Sequence, residues 1–191
     1  YGLVSVSAPG ASHFAYSIYI SEPGGNTIEL EYYNVRAASH GRQIAAGHWG
    51  TSLSEHQFPG RGYIPQALSH GTAQCDNKER SNSFYTEVLG LTIMGGGNVS
   101  TYIGHAKFPW YIVVLPVHER NYLRPVNRYT LKVASAIDVR NSYQKFGKLS
   151  SGVTHLGELK EINNEASFIF SDLDYNWWEI TSTAEPNRSP D

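Results

Sequence analysis

The sequence contains one cysteine, few charged residues and no long apolar run. Each of these features excludes a class of protein. A single cysteine, Cys75, excludes an intramolecular disulfide and any zinc cluster built on cysteines. No apolar run approaches the roughly 18–20 residues that a membrane-spanning helix needs. The 15 Lys and Arg nearly balance the 17 Asp and Glu, so the chain lacks the basic surface that nucleic-acid binding needs. We expect a cytoplasmic globular protein without nucleic-acid or membrane partners, in which any metal is held by His and carboxylate side chains.

One internal repeat joins the two ends of the chain. Segment 18–30 (IYISEPGGNTIEL) aligns without gaps with segment 168–180 (FIFSDLDYNWWEI). Each copy is an apolar strand, an acidic turn with Gly or Asn, and a second strand that carries one Glu, Glu29 or Glu179, among apolar neighbours. Because Pro, Gly and Asn suit tight turns, the repeat predicts two β-hairpins.

A second repeat predicts two β-α-β-β-β modules, of which the first occupies residues 67–117. Its opening strand, at 68–75, is followed by a helix with Asp76 as N-cap and a glycine stop at Gly90. One stripe of this helix is apolar and consists of Phe84, Tyr85, Val88 and Leu89. Later strands are expected at 101–103 and 110–115.

The second module occupies residues 126–182 and has the same order of elements. A strand at 127–133 precedes a helix that begins after the N-cap Ser135 and ends at Gly147. The apolar stripe of this helix consists of Ile137, Val139, Tyr143 and Phe146. Strands at 159–162 and across the hairpin 168–180 complete the module.

The remaining segments are assigned from these modules. Residues 1–33 read as a partial module of a first domain, with strands at 12–16 and 18–30 but no helix between them. We therefore expect this module to be truncated or to lack residues between Tyr16 and Ile18. Residues 34–66, rich in Gly, His, Ser and Pro, read as a linker. Residues 67–182 form the two-module domain, and 183–191 a flexible tail.

Alternation along the strands sorts the polar side chains onto one face of the sheet. Trp177 and Glu179 share a face, opposite Trp178 and Ile180. If the two helices cover the apolar faces, the polar faces line a cup. A carboxylate on such a strand costs several kcal/mol unless it is paired, so Glu179 requires a metal or a cationic partner.

The paired modules, the segment 80–91 (RSNSFYTEVLGL) and the closing hairpin resemble the vicinal oxygen chelate superfamily, which includes glyoxalase I, fosfomycin-resistance proteins and extradiol dioxygenases. The resemblance covers 67–182 well and 10–33 partly. It implies an α+β fold in which paired β-α-β-β-β modules form a curved mixed sheet around a cup-shaped site. It also implies a divalent metal (Fe, Mn, Zn or Ni), a substrate with vicinal oxygens, and a possible homodimer.

Carried onto this sequence, the resemblance predicts metal ligands at His70 and Glu179, and at His13 and Glu29 in the partial module. Arg128 stands where ring-cleaving members place a second His, and a guanidinium has no lone pair to donate. Arg128 and Trp177 are assigned to substrate contact. Ring-cleaving relatives also tend to carry a Tyr in the strand before the final hairpin, where the inward-facing candidates here are Phe168 and Phe170.

Two readings of these residues remain open. In the first, the chain is a metal-dependent lyase, isomerase or dioxygenase, most simply an extradiol-type ring-cleaving enzyme. In the second, Glu179 forms a salt bridge to Arg128, His70 is a hydrogen-bonded interior residue, and the protein binds a small molecule without metal. His105 and His118 are the alternatives for a missing ligand.

Overall fold

The computed structural model describes residues 5–6, 10–11, 15–33, 70–105, 111–120 and 122–182. The chain divides into two compact units. Unit 1 comprises Tyr1–His70 and Gly104–Tyr111, and unit 2 comprises Gly71–Ile103 and Ile112–Asp191. The linker at 34–66 and the tail at 183–191 lie outside the described residues, and the proposed domain boundaries stay a prediction. Within the described residues, no helix is long and apolar enough to cross a membrane.

Unit 1 contains four described strands. They are β1 (Ser5–Val6), β2 (Gly10–Ala11), β3 (Ala15–Ser21) and β4 (Thr27–Tyr33). The predicted hairpin is confirmed, because β3 and β4 pair in antiparallel register from Ser21–Thr27 to Ala15–Tyr33. The predicted separation of a strand at 12–16 from one starting at Ile18 is wrong. The ladder is unbroken through residue 17, so Ala15–Ser21 is a single strand.

The turn after β3 shows why this hairpin forms. The Glu22 carboxylate accepts hydrogen bonds from the backbone N–H groups of Gly24 and Asn26, both at 2.7 Å, and from the Asn26 amide. These bonds to the charged form, led by those from the backbone, lower the pKa of Glu22. Gly25 has φ +88°, a conformation that suits glycine.

Two further sheets have the same strand order and lie in unit 2, except for the end residues His70, Gly104 and Tyr111, which belong to unit 1. The first consists of β5 (His70–Cys75), β6 (Thr92–Gly96), β7 (Thr101–Gly104) and β8 (Tyr111–Pro116), in the order β5-β8-β7-β6. The second consists of β9 (Tyr129–Lys132), β10 (Val153–Leu156), β11 (Lys160–Ile162), β12 (Glu165–Asp172) and β13 (Trp177–Thr181), in the order β9-β13-β12-β10, with β11 also on β12. Each first strand therefore lies beside the last strand of its own module, and the α+β class with repeated modules is confirmed. The sequence patterns missed β6 and β10.

The helix of the first module, α1 (Lys78–Ser83), continues as a π-helical turn over Phe84–Val88. Its N-cap is Asn77, whose side chain accepts a hydrogen bond from the Arg80 N–H at 2.8 Å, so the prediction of Asp76 is wrong. Asp76 is engaged elsewhere. Its N–H donates to Asp174 and its carboxylate accepts from Arg120.

The helix of the second module, α2 (Ala136–Phe146), has the predicted ends. Ser135 caps it through a hydrogen bond from the Asp138 N–H, and Gly147 is its C-cap. Val139 and Phe146 are buried, as the apolar stripe predicts. Ile137, which the predicted stripe includes, is 61% exposed, so the buried part of the stripe begins at Val139.

The closing hairpin, β12 with β13, has the predicted alternation in its last strand. Trp178 and Ile180 are buried, whereas Trp177 and Glu179 are partly exposed on the other face. Phe168 and Phe170 do not face the cup, contrary to expectation. They pair with Ile180 and Trp178 in the ladder, and both pack edge-on against Phe146 of α2. The register thus places both rings under the helix and leaves Ile169 opposite Glu179.

Candidate functional site

His70 and Glu29 meet in unit 1, although 41 positions separate them in the sequence. His70 Nε2 lies 3.2 Å from Glu29 Oε2, and the two side chains are only 11% and 20% exposed. His70 is the first residue of β5 and Glu29 lies in the middle of β4. The His70 ring also stacks on Tyr111, with centroids 5.1 Å apart and planes 13° apart, which fixes the direction of the imidazole.

The sequence pairs these ligand-type residues differently. It couples His70 with Glu179 and His13 with Glu29, whereas the structure brings His70 to Glu29. His13 lies outside the described residues. The assignment of all four as metal ligands stays a prediction, now with one pair of them in contact.

Arg128 and Glu179 form an ion pair in unit 2. Arg128 Nε donates to Glu179 Oε2 at 2.9 Å, and the Thr130 hydroxyl donates to the same oxygen at 3.2 Å. The pair forms because β13 and β9 run parallel with Glu179 beside Thr130. A second donor of the guanidinium, Nη1, bonds the Pro125 carbonyl at 3.2 Å. The carboxylate therefore has the cationic partner that its place in the strand requires.

Trp177 lies on the same face as Glu179 and lines an open pocket. The aromatic pocket, as we name it, has a volume of about 370 Å³ and is lined by Tyr122, Leu123, Tyr175 and Trp177. The Trp177 ring also contacts the exposed His155 edge-to-face, with centroids 5.4 Å apart. Trp177 is thus placed to contact a ligand, and its predicted role in substrate contact stays a prediction.

The two pairs of residues, His70 with Glu29 and Arg128 with Glu179, differ in how well they suit a divalent metal. At Glu179, the Arg128 guanidinium contacts the carboxylate oxygen Oε2, and its positive charge repels a metal cation at this position. At His70 and Glu29, two atoms bound about 2.1 Å from one metal ion lie roughly 3.0–3.4 Å apart, which matches the observed 3.2 Å. No group of three His, Cys, Asp or Glu converges within the part of the chain that the structure describes, so any further ligand must come from elsewhere.

Solved structures with a similar fold identify the architecture. A fosfomycin resistance protein, FosX, from Listeria monocytogenes superposes with a TM-score of 0.51 at 15% identity, covering 62% of this chain and 91% of that chain. The chain has a glyoxalase-like fold. A lactoylglutathione lyase from Agrobacterium tumefaciens (TM-score 0.45, 15% identity) and UcmS2 (TM-score 0.46, 22% identity) each cover 61% of this chain, and 93% and 97% of their own. No protein-family model matches the chain, and no curated protein matches it.

The glyoxalase-like fold here depends on two buried aspartates that the sequence reading missed. Both lie in the turn of the closing hairpin and are fully buried or nearly so. Asp174 accepts hydrogen bonds from the Ser81 hydroxyl at 2.5 Å, from Arg120 Nη1 at 3.1 Å and from the Asp76 N–H at 3.0 Å. It therefore fastens the closing hairpin to the first module and holds in place the strand that carries Glu179.

The second buried aspartate, Asp172, organises the turn itself. Its Oδ1 accepts from the N–H groups of Asp174 and Asn176, and its Oδ2 accepts from the Tyr85 hydroxyl at 2.7 Å and from Trp178 Nε1 at 2.9 Å. Burial raises the pKa of Asp172, more than these hydrogen bonds lower it. Burial, followed by the charge of Asp172, also raises the pKa of Tyr85 and that of Tyr129 well above the ordinary value of tyrosine.

The repeat contained the signal for Asp172. Asp172 aligns with Glu22, and both carboxylates accept from the N–H groups two and four residues later. An acidic residue at the same position of both copies therefore indicates a turn-capping carboxylate. The sequence pattern does not indicate that Asp172 is buried whereas Glu22 is partly exposed.

Proposed function

We propose that this chain is a metal-dependent enzyme of the vicinal oxygen chelate type and that His70 and Glu29 hold its metal. The observation that carries the proposal is the 3.2 Å contact between His70 Nε2 and Glu29 Oε2 in a largely shielded position. Imidazole nitrogen and carboxylate oxygen together suit Fe, Mn, Zn or Ni. A bound divalent metal would act there as a Lewis acid on a substrate with two adjacent oxygens.

The residues around the pair have definable tasks. Tyr111 stacks on the imidazole and fixes its plane, so that Nε2 faces Glu29. A bound metal would take the place of the contact between Nε2 and Oε2, because ligands bind metals through their unprotonated atoms. His13 is the residue we propose as a third ligand.

Within this class, extradiol-type ring cleavage is the reaction that the sequence favours. It requires two His and one carboxylate around an open iron site, and His13 would have to complete the set. A lyase or isomerase reaction requires no second His. We therefore propose the metal-dependent class first and ring cleavage as one reaction within it.

The proposal is tested by measuring metal content. We expect freshly purified protein, incubated with Fe(II), Mn(II), Zn(II) or Ni(II) and then desalted, to retain about one ion per chain of at least one of these metals. Elemental analysis by mass spectrometry gives the stoichiometry. Retention of less than about 0.1 equivalents of every metal would rule out the enzyme as proposed.

A second candidate function, binding of a small molecule without metal, is favoured by the Arg128–Glu179 ion pair. Glu179 already has a cation at 2.9 Å and needs no metal. Under this second candidate the unmodified protein takes up no metal. Under the first proposal, Glu179→Gln takes up metal in the same amount as the unmodified protein, while Glu29→Gln takes up less. If Glu179→Gln loses the metal, Glu179 is a ligand after all and the ion pair belongs to the metal-free state only.

A further inference from the structure

The tip of the closing hairpin carries an unusual backbone conformation. Tyr175 has φ +64°, in the left-handed region that is costly for a side chain with a Cβ. The equivalent position in the first hairpin is Gly25, with φ +88°. The two turns have the same hydrogen-bond pattern. The N–H of Gly25 donates to the Glu22 carbonyl in the first hairpin, and the N–H of Tyr175 donates to the Asp172 carbonyl in the closing hairpin. The turn therefore requires this backbone geometry, and glycine is the residue that suits it.

The ring of Tyr175 is not needed for the core. Tyr175 is 50% exposed, and its ring meets that of Tyr122, itself 64% exposed, edge-to-face at 5.5 Å. Both rings line the aromatic pocket together with Leu123 and Trp177. A strained backbone that carries an exposed aromatic ring at a pocket indicates a role outside folding.

Arg128, whose guanidinium is paired with Glu179, is a neighbour of Trp177, one of the residues that line the aromatic pocket. Trp178 lies beside Tyr129 in the parallel ladder, so the preceding residues, Trp177 and Arg128, are neighbours on the face that carries Glu179. The Arg128 side chain is 32% exposed. Within the described residues, two of its three guanidinium nitrogens, Nε and Nη1, donate hydrogen bonds, and Nη2 is the nitrogen available to a ligand.

We propose that Tyr175 is a ligand-contacting residue and that the aromatic pocket takes the flat ring of an aromatic carboxylate, whose charged group bonds Arg128. Tyr122, Tyr175 and Trp177 supply ring contacts, which favour flat partners over saturated ones of the same charge. Arg128 supplies directional donors for a carboxylate. This site lies in unit 2 and does not depend on the metal proposed at His70 and Glu29.

The test uses 2-naphthoate as the aromatic probe and cyclohexanecarboxylate as a saturated probe of equal charge, titrated into the full chain by calorimetry with and without EDTA. We expect 2-naphthoate to bind more tightly than cyclohexanecarboxylate. Tyr175→Ala and Tyr175→Gly should both weaken 2-naphthoate binding by about 3- to 10-fold, because both remove one ring contact. Tyr175→Phe keeps the ring and should bind as the unmodified protein does. EDTA should leave these results unchanged, whatever the outcome at the metal site.

Thermal unfolding separates the backbone strain from the loss of the ring. Tyr175→Ala keeps the strained conformation and Tyr175→Gly relieves it, so we expect the glycine variant to melt about 2–4 °C higher than the alanine variant. Asn164, at φ +68° in another hairpin, is the matched control. Asn164→Gly should leave 2-naphthoate binding unchanged.

Three results would each overturn the proposal. They are 2-naphthoate binding that is no tighter than that of cyclohexanecarboxylate, unaltered 2-naphthoate affinity in the alanine and glycine variants of Tyr175, and equal melting temperatures of those two variants. None of them bears on metal uptake, so the two proposals fail independently.

Discussion

Replacing Asp172 with alanine is expected to lower the free energy of unfolding of unit 2 by about 3–5 kcal/mol. Asp172 is fully buried and accepts hydrogen bonds from the Tyr85 hydroxyl, the Trp178 indole and two backbone N–H groups. Alanine leaves these buried donors without an acceptor, and each unsatisfied donor is costly. Urea unfolding followed by tryptophan fluorescence measures the change, since Trp178 lies in the affected core.

Glu22→Ala is the matched control for this experiment. Glu22 makes the same two backbone contacts in the turn of the first hairpin, but water reaches it. Water replaces the lost acceptor there, so we expect a clearly smaller effect on unfolding. An equally small effect of Asp172→Ala would show that the Asp172 network is not what stabilises the closing hairpin.

The Asp172 network also predicts how stability depends on pH. Burial raises the pKa of Asp172 above its ordinary value of 3.8, so the folded state holds a proton that the unfolded state releases. The extra stability that comes from this bound proton is therefore full below about pH 4 and is lost as the pH rises through the raised pKa, whereas the hydrogen bonds that Asp172 accepts remain. Asp172→Asn cannot titrate. We expect the stability difference between the unmodified protein and Asp172→Asn to be largest at acid pH and to shrink as the pH rises, as urea unfolding at a series of pH values would show.

Replacing His70 with alanine is expected to abolish metal uptake, leaving less than about 0.1 equivalents per chain. His70 is the nitrogen donor of the pair with Glu29, and its loss leaves at most Glu29 and the proposed ligand His13, which are too few to hold a divalent metal through desalting. Incubation with each metal, desalting and elemental analysis give the result, with circular dichroism to establish that the variant is folded.

His155→Ala is the control for His70→Ala. His155 is exposed on β10 and contacts Trp177, and it belongs to no group of three or more His, Cys, Asp or Glu in the described part of the chain. We expect His155→Ala to retain the metal content of the unmodified protein. Equal metal uptake by the two variants would refute the assignment of His70.

Sequence patterns predicted correctly those structural features that depend on residues close together in the chain. Ser135 and Gly147 bound α2 as expected, because caps satisfy backbone groups within one turn of the helix. The alternation of β13 placed Trp178 and Ile180 in the core and Trp177 and Glu179 outside it, since the strand period is two. The salt-bridge alternative for Glu179 followed from charge and burial alone, and the structure shows Arg128 at 2.9 Å.

The errors occurred where distant groups compete for a residue. Asp76 has the side chain of a good N-cap, but Arg120 and Asp174 engage it, and Asn77 caps α1 instead. Phe168 and Phe170 were assigned to the cup. The register set by the turn pairs them with Ile180 and Trp178 and places them under α2.

Local spacing and residue chemistry account for the repeated modules, the two hairpins and the residue types that suit a metal or an ion pair. Which of these residues meet depends on how the strands pack. His70 contacts Glu29 across 41 positions, and Arg128 contacts Glu179 through a parallel ladder. Strand packing and pairing bring such distant residues together. The free energy that stabilises this arrangement comes from many contacts between different segments, so no single segment of the sequence reveals it.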